Sequence, residues 1–367
     1  MKLKEKKVEK VLFALLRMAL HEEVVTDIEW KNVSEEEWKQ CYKLAAEHGV
    51  MALAWDGLQY IASNSIKSKT LKLSWALAVQ NYEERYEMFC QVADELSKFY
   101  ASHEIGMIQL KGVGFSAYYP IPSHREGGDI DIYTYSNNCD VRSDEEANDM
   151  ADTLMRNQNI SVDLDNTSKH SHFVYKGISI ENHKLFLEAD LSAIAIPMNA
   201  LLKKLLNPSK TSLCEGRYQV DTPNPEFNAL FLAFHAAQHF GLGIKLHHLF
   251  DWACLIKKEG WCVPEQVTDK KLLGFMYALT KLSNELLGTN VSCNSCGQMD
   301  KVVYEQMMHP LYSEKIPVKG KVAILKYKAK RLHYIYSMYN HVFDIALLRW
   351  ISRSIKKNIR KPQSIFR

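Results

Sequence analysis

Residues 125–133 read Arg-Glu-Gly-Gly-Asp-Ile-Asp-Ile-Tyr, and this stretch limits the possible folds more than any other. Side chains at i and i+2 of a strand point to one face. A strand here therefore aims Asp129 and Asp131 at one point and turns Ile130 and Ile132 into a core. Two converging carboxylates at an open strand end suit a divalent cation that also holds phosphate oxygens. Gly127 and Gly128 leave room for a phosphate-bearing ligand to approach the backbone. Upstream, Leu110-Lys111-Gly112 reads as an apolar strand end and a Lys-Gly turn, followed by a short aromatic helix closed by Pro120 and Pro122.

The set Lys111, Gly112, Tyr118, Tyr119, Pro120, Pro122, Arg125, Gly128, Asp129 and Asp131 resembles the polymerase-β-like nucleotidyltransferase superfamily. It is closer still to one branch, the uncharacterised bacterial nucleotidyltransferase-like family. The resemblance is dense over residues 110–133 and thin elsewhere. It implies an α+β fold, with a small sheet core between N-terminal and C-terminal helical regions and an active site between the sheet and the downstream helices. It also implies an NTP substrate, Mg2+ or Mn2+, and transfer of an NMP to an acceptor hydroxyl on a small molecule, an RNA end or a protein. Asp129 and Asp131 take the catalytic, metal-bridging positions of that pattern.

The pattern asks for a third carboxylate on a later strand. Glu181 meets it, in Ile178-Ser179-Ile180-Glu181-Asn182-His183, with His183 two residues on as in the family. Asp163, Asp165, Glu188 and Asp190 are rivals, and Asp163-Leu164-Asp165 shows that Asp-x-Asp alone is a weak signal. The superfamily usually has Gly-Gly or Gly-Ser in the first turn, whereas this chain has Gly112-Val113. Contact with the triphosphate then falls to Lys111, Ser116 or Arg125, beside Gly112 and Gly128. Lysine offers a mobile point charge and arginine a two-pronged fork. Val113 also keeps open an alternative from another class, a catalytically silent nucleotide-binding or interaction protein that retains the fold.

Three regions follow from the patterning. Residues 1–102 read as helical: Val8–Leu20 is amphipathic, Ser34 caps a helix running to His48 and Gly49, and Thr70–Tyr100 keeps helical periodicity. Residues 103–192 form the α/β core, with strands at 107–110, 130–135, 161–164, 172–175 and 178–181 and a polar helix at 144–157. Residues 193–367 read as helical again, including an apolar helix at 226–240. His235 and His239 lie on it, and Lys245, His248 and Asp251 follow. His235 and His239 share a helix face, but the residue after His235 is Ala236, not the Glu of a zinc peptidase. Two readings stay open: a buried polar network fixing two helices, or an acceptor cleft lined by His183, Lys245, His248 and Asp251.

Charge is unevenly spread. The chain carries a net +3, yet from Lys315 to Arg367 fourteen Lys or Arg stand against one acid, Asp344. Aromatics interleave with them, so residues 349–367 are a candidate surface for RNA, whereas 320–350 reads as a helix with its aromatics packed inward. The eight cysteines are scattered, as in a reduced cytoplasmic protein. Cys293 and Cys296 have metal-site spacing but no second pair to complete a zinc ribbon. No segment has the length of a membrane span, and the charged N-terminus lacks the apolar core of a signal peptide.

Overall fold

The computed structural model describes residues 6–137, 143–164, 169–188, 192–292, 299–311, 320–345 and 350. Four helices open the chain: α1 (Lys7–His21), α2 (Glu35–Glu47), α3 (Met51–Leu58) and α4 (Lys69–Ala101). At the start of α2, Glu37 N–H donates to Ser34 Oγ at 3.3 Å, and Ser34 N–H donates to the Glu37 carboxylate at 2.8 Å. This reciprocal cap satisfies two helix-end donors. Helix α1 is amphipathic as its spacing predicts, and Val11 to Leu16 are all buried. Its backbone touches α3 at Gly57, where an added Cβ would lie 2.3 Å from Leu15 O.

One seven-stranded sheet follows, in the order β3-β4-β5-β2-β1-β7-β6. Its strands are β1 (Ile105–Gln109), β2 (Ile130–Ser136), β3 (Val162–Leu164), β4 (His170–Tyr175), β5 (Ile178–His183), β6 (Ser209–Leu213) and β7 (Tyr218–Thr222). Helices α5 (Asp144–Asn157) and α6 (Ala195–Leu205) lie between strands in sequence. β2 runs antiparallel to β1 and parallel to β5, with Asp131 opposite Glu181. The alternation read from the sequence sorts the two faces. Ile130, Ile132, Ile178 and Ile180 pack with Phe173 against α4 and α5 in one core. Ile108, Leu110 and Tyr133 join a larger core shared with the N-terminal and C-terminal helices.

Two expectations need correction. The sheet does not end at residue 192, because the β6–β7 hairpin at 209–222, expected to be helical, adds two strands beside β1. The expected helix at 112–119 shrinks to a 3-10 turn at Phe115–Tyr118. Gly112 sits at φ +63, the left-handed region, and so ends any helix there before it starts.

The C-terminal region supplies α7 (Pro225–His239), α8 (Leu246–Glu259), α9 (Lys270–Leu282), α10 (Met299–Met308) and α11 (Lys321–Val342). Asn224 caps α7 and Pro225 occupies its first turn, where a missing N–H costs nothing. α11 turns Tyr339, Val342 and the following Phe343 into the core, and Tyr339 donates to Gln238 O at 2.6 Å. Aromatics of 320–350 thus pack inward at this end. Cys293, Cys296 and the basic tail, apart from Trp350, lie outside the described residues. Cys41, Cys90, Cys214, Cys254 and Cys262 are free thiols. No helix among the described residues is long and apolar enough to cross a membrane.

Candidate active site

Sheet register brings three acids together. Asp129 immediately precedes β2, Asp131 lies on it, and Glu181 stands opposite Asp131 on β5. One carboxylate oxygen from each lies within 4.8 Å of the others. Asp131 is 1 % exposed, and its Oδ1 accepts from His183 Nε2 at 3.0 Å. Lys111 Nζ lies 3.2 Å from its Oδ2 and pairs with it. An oxygen-rich cluster of three converging carboxylates fits a hard divalent cation. Among the rivals, Asp163 is exposed on an edge strand; Asp165 and Asp190 lie outside the described residues.

The charges in the cluster are set by opposing effects. Burial works against the charge of Asp131, but Lys111 and the His183 hydrogen bond hold it well below the usual carboxylate range. Glu181 is likewise pushed up by burial and pulled down further by His183 and His170, for a net lowering. Asp129 goes the other way: burial, then the neighbouring Asp131 charge, raise it. Lys111 stays charged because Asp131, Asp129 and Glu181 outweigh its burial. Lys169, just before β4, is also in this field. Burial and then Lys111 lower its pKa, while Asp131, Glu181 and Glu188 oppose that.

Behind the acids, the other face of the sheet is tied to α5 by a buried polar network. Asn148 Nδ2 donates to Asn182 Oδ1 at 2.9 Å and to His183 O at 3.0 Å. Asn182 donates to Asp152 at 3.1 Å, and Ser171 donates to the same oxygen at 2.7 Å. The backbone carrying Glu181 and His183 is thereby fixed from behind.

A cleft of about 210 Å³ opens over the acids. Lys111, Gly112, Arg125, Gly128, Asp129 and Asp131 line its sheet side; Lys245, His248 and Asp251 line its helix side, with His235. Arg125 is not a free fork. Its Nε and Nη2 donate to Asp251 at 2.9 and 2.8 Å, and Tyr119 donates to Asp251 at 2.6 Å. Ser116 does not reach the cleft. It is 1 % exposed and donates to Val113 O at 2.6 Å. His183 lies beneath Asp131, fully buried, rather than in an open acceptor cleft.

Sequence reasoning missed Lys169 and His170 as members of the acid cluster, and His235 as a cleft residue. Nothing local marks Lys169, whose partners come from three other segments. His170 had a signal: β4 pairs antiparallel with β5, which sets His172 opposite Glu181 and His170 opposite His183.

Residues 34–288 match the family of uncharacterised nucleotidyltransferases, and the chain belongs to that family. The match takes in the sheet, the acid cluster and the helices α7 and α8. No curated protein matches the chain. A crystal structure of an antigenic nucleotidyltransferase-like protein from Paracoccidioides brasiliensis is similar at 13% identity. The similarity covers 56% of this chain and 94% of that one, with a TM-score of 0.38.

Proposed function

We propose that the chain transfers an NMP from an NTP to an acceptor hydroxyl, using Mg2+ or Mn2+ held by Asp129, Asp131 and Glu181. The observation that carries this reading is the meeting of three carboxylates beside a cleft that Asp129 and Asp131 line. A divalent cation bound there supplies charge stabilisation to the phosphate oxygens. In the transfer, the acceptor oxygen bonds to the α-phosphorus while the bond from that phosphorus to pyrophosphate breaks. The acceptor proton leaves to a base, for which the ionised Glu181 carboxylate is the candidate. Lys111 and Lys169 offset phosphate charge, and the backbone at Gly112, Gly127 and Gly128 admits the triphosphate closely. Arg125 spends Nε and Nη2 on Asp251, leaving Nη1 for a phosphate oxygen. His183 is a positioning residue that orients Asp131. Lys245 and His248 face the acceptor from the helix side, with Asp251 acting through Arg125.

The acceptor is a small molecule, an RNA end or a protein, and the reaction belongs in the cytoplasm, where NTP is abundant. The test is incubation of the full chain with each radiolabelled NTP, Mg2+ or Mn2+, and a lysate of the source cell. Label should enter one acceptor fraction, with metal and Asp129 both required. Metal-dependent NTP binding without transfer in any fraction would instead favour the catalytically silent reading. If RNA takes the label, steep salt dependence lost on truncation before Arg349 would assign the basic tail to the acceptor.

A further inference from the structure

Across the cleft from the acids, three imidazoles converge. His235 and His239 lie one turn apart on α7, and His248 comes from the first turn of α8. Their ring centroids are 4.7, 5.6 and 5.3 Å apart in the three pairings. One nitrogen from each lies within 4.8 Å of the others. From this geometry we infer that His235, His239 and His248 form a second cation site, of the zinc class, with an open coordination position facing the cleft.

The donor set decides the class of metal. Three neutral nitrogens suit Zn2+, Co2+ or Ni2+ and not Mg2+, which takes oxygen ligands. Three protein ligands with one side open are the form of a zinc site that also takes water or substrate. Here His235 and His248 line the cleft and His239 is exposed, so the open side faces solvent and ligand. In a tetrahedral zinc site the nitrogens stand ~3.3 Å apart. The present nitrogens lie within 4.8 Å of one another, so side-chain movement has to close the trio to that spacing.

The competing reading, a polar network that fixes α7 to α8, needs hydrogen bonds that His235 and His239 do not make. Neither ring is hydrogen-bonded among the described residues; both make ring contacts only. His248 Nδ1 does accept from Lys245 N–H at 3.2 Å. That one long neutral bond is a weak competitor to a metal–nitrogen bond. The rings are also held in the ligating form. Burial, then Lys111, keeps His235 well below the usual imidazole range, and burial, then His247, does the same for His248. The charges of Lys111 and Lys169 are in turn balanced by Asp129, Asp131 and Glu181.

A second cluster, His170, Glu181 and His183, offers a rival site that shares Glu181 with the acids. The experiment separates the two. Co2+ is titrated into the full chain and followed by visible spectroscopy, first in the wild type, then in His239→Ala and His170→Gln. His239 is exposed, so its replacement leaves the fold intact, checked by circular dichroism. The wild type should show intense tetrahedral cobalt bands at one equivalent, removed by Zn2+. His239→Ala should weaken binding by more than the roughly 10–100-fold that outer-shell changes cause. His170→Gln should bind as the wild type. Bands lost in His170→Gln but kept in His239→Ala would overturn the assignment, and so would the absence of tetrahedral cobalt from the wild type. The readout is independent of nucleotidyl transfer, so a chain inactive toward every NTP leaves this result standing.

Discussion

On the sheet wall of the cleft, Asp131 is held by His183 and flanked by Lys111, and β5 is tied from behind to Asn148 and Asp152. On the helix wall, His235 and His239 are held by packing alone, while Asp251 is locked to Arg125 and Tyr119. The two walls differ in how position is fixed. Sheet register places a carboxylate to within a strand spacing, and the network behind it removes the remaining freedom. The helix wall fixes its position at one buried ion pair and holds His235 and His239 by ring contacts, without hydrogen bonds among the described residues. A rigid wall suits groups that hold charge in one geometry. An adjustable wall suits groups that close around a ligand.

The largest expected effect is on the sheet wall. Asp131→Asn should lower transfer by about 10⁴-fold or more, since it removes a charge that the proposed reaction uses to hold the cation. The substitution also removes the charge that Lys111 and His183 hold, so some stability is lost with it; circular dichroism and a single-turnover assay separate fold from transfer. Asp129→Asn should lower transfer in the same way, but relief of like-charge repulsion raises its metal-free stability slightly. Wild-type transfer in either variant would remove the metal role.

Next comes the anchor of the helix wall. Asp251→Ala leaves Arg125 buried without its partner and should cost about 3–5 kcal/mol in chemical denaturation. A cost below about 1 kcal/mol would mean that the pair is solvated, as surface pairs are. Asn148→Ala, behind the sheet wall, should cost about 1–3 kcal/mol, because it orphans the buried groups it serves. It should also lower transfer without touching substrate.

His124, next to Arg125 in the chain, gives a pH signature. His124 Nδ1 lies 2.7 Å from Asp56 and its Nε2 3.0 Å from Glu83, tying α3 and α4 to the loop that carries Arg125. Burial opposes its charge, but the two carboxylates outweigh burial and raise its pKa. The stabilisation is therefore complete below about pH 6.5 and fades as pH rises through the higher folded value. Denaturation midpoints across that range should fall in the wild type and stay flatter in His124→Gln. The smallest effect returns to the helix wall: without metal, His239→Ala should shift stability by no more than about 0.5 kcal/mol. A larger loss would show that the imidazoles hold the wall together after all.

Much of the sheet wall is legible because its chemistry lies close in sequence. Asp129 and Asp131 are two apart, Glu181 and His183 likewise, and Ser34 with Glu37 announces its helix. The polar helix at 144–157 has the bounds read from its pattern. The β6–β7 hairpin was hidden because Ser209, Lys210 and Ser212 are exposed on an edge strand and carry no apolar alternation. Its turn, Cys214-Glu215-Gly216, has left-handed backbone at all three residues, and only Gly216 signals this. The Arg125–Asp251 pair joins residues 126 apart in sequence. No local pattern marks a partner that far along the chain. The histidine trio was half visible: His235 and His239 share a face, but His248 joins them only through the angle between two helices.

The most direct test of the sheet wall's role is Mn2+-dependent binding of a non-hydrolysable NTP analogue, measured by calorimetry in the wild type and in Asp129→Asn. The wild type should bind the analogue tightly only with Mn2+, and Asp129→Asn should lose most of that dependence while keeping weak, metal-independent binding through Lys111. Equal Mn2+ dependence in the two proteins would contradict the assignment of the cation to the three carboxylates.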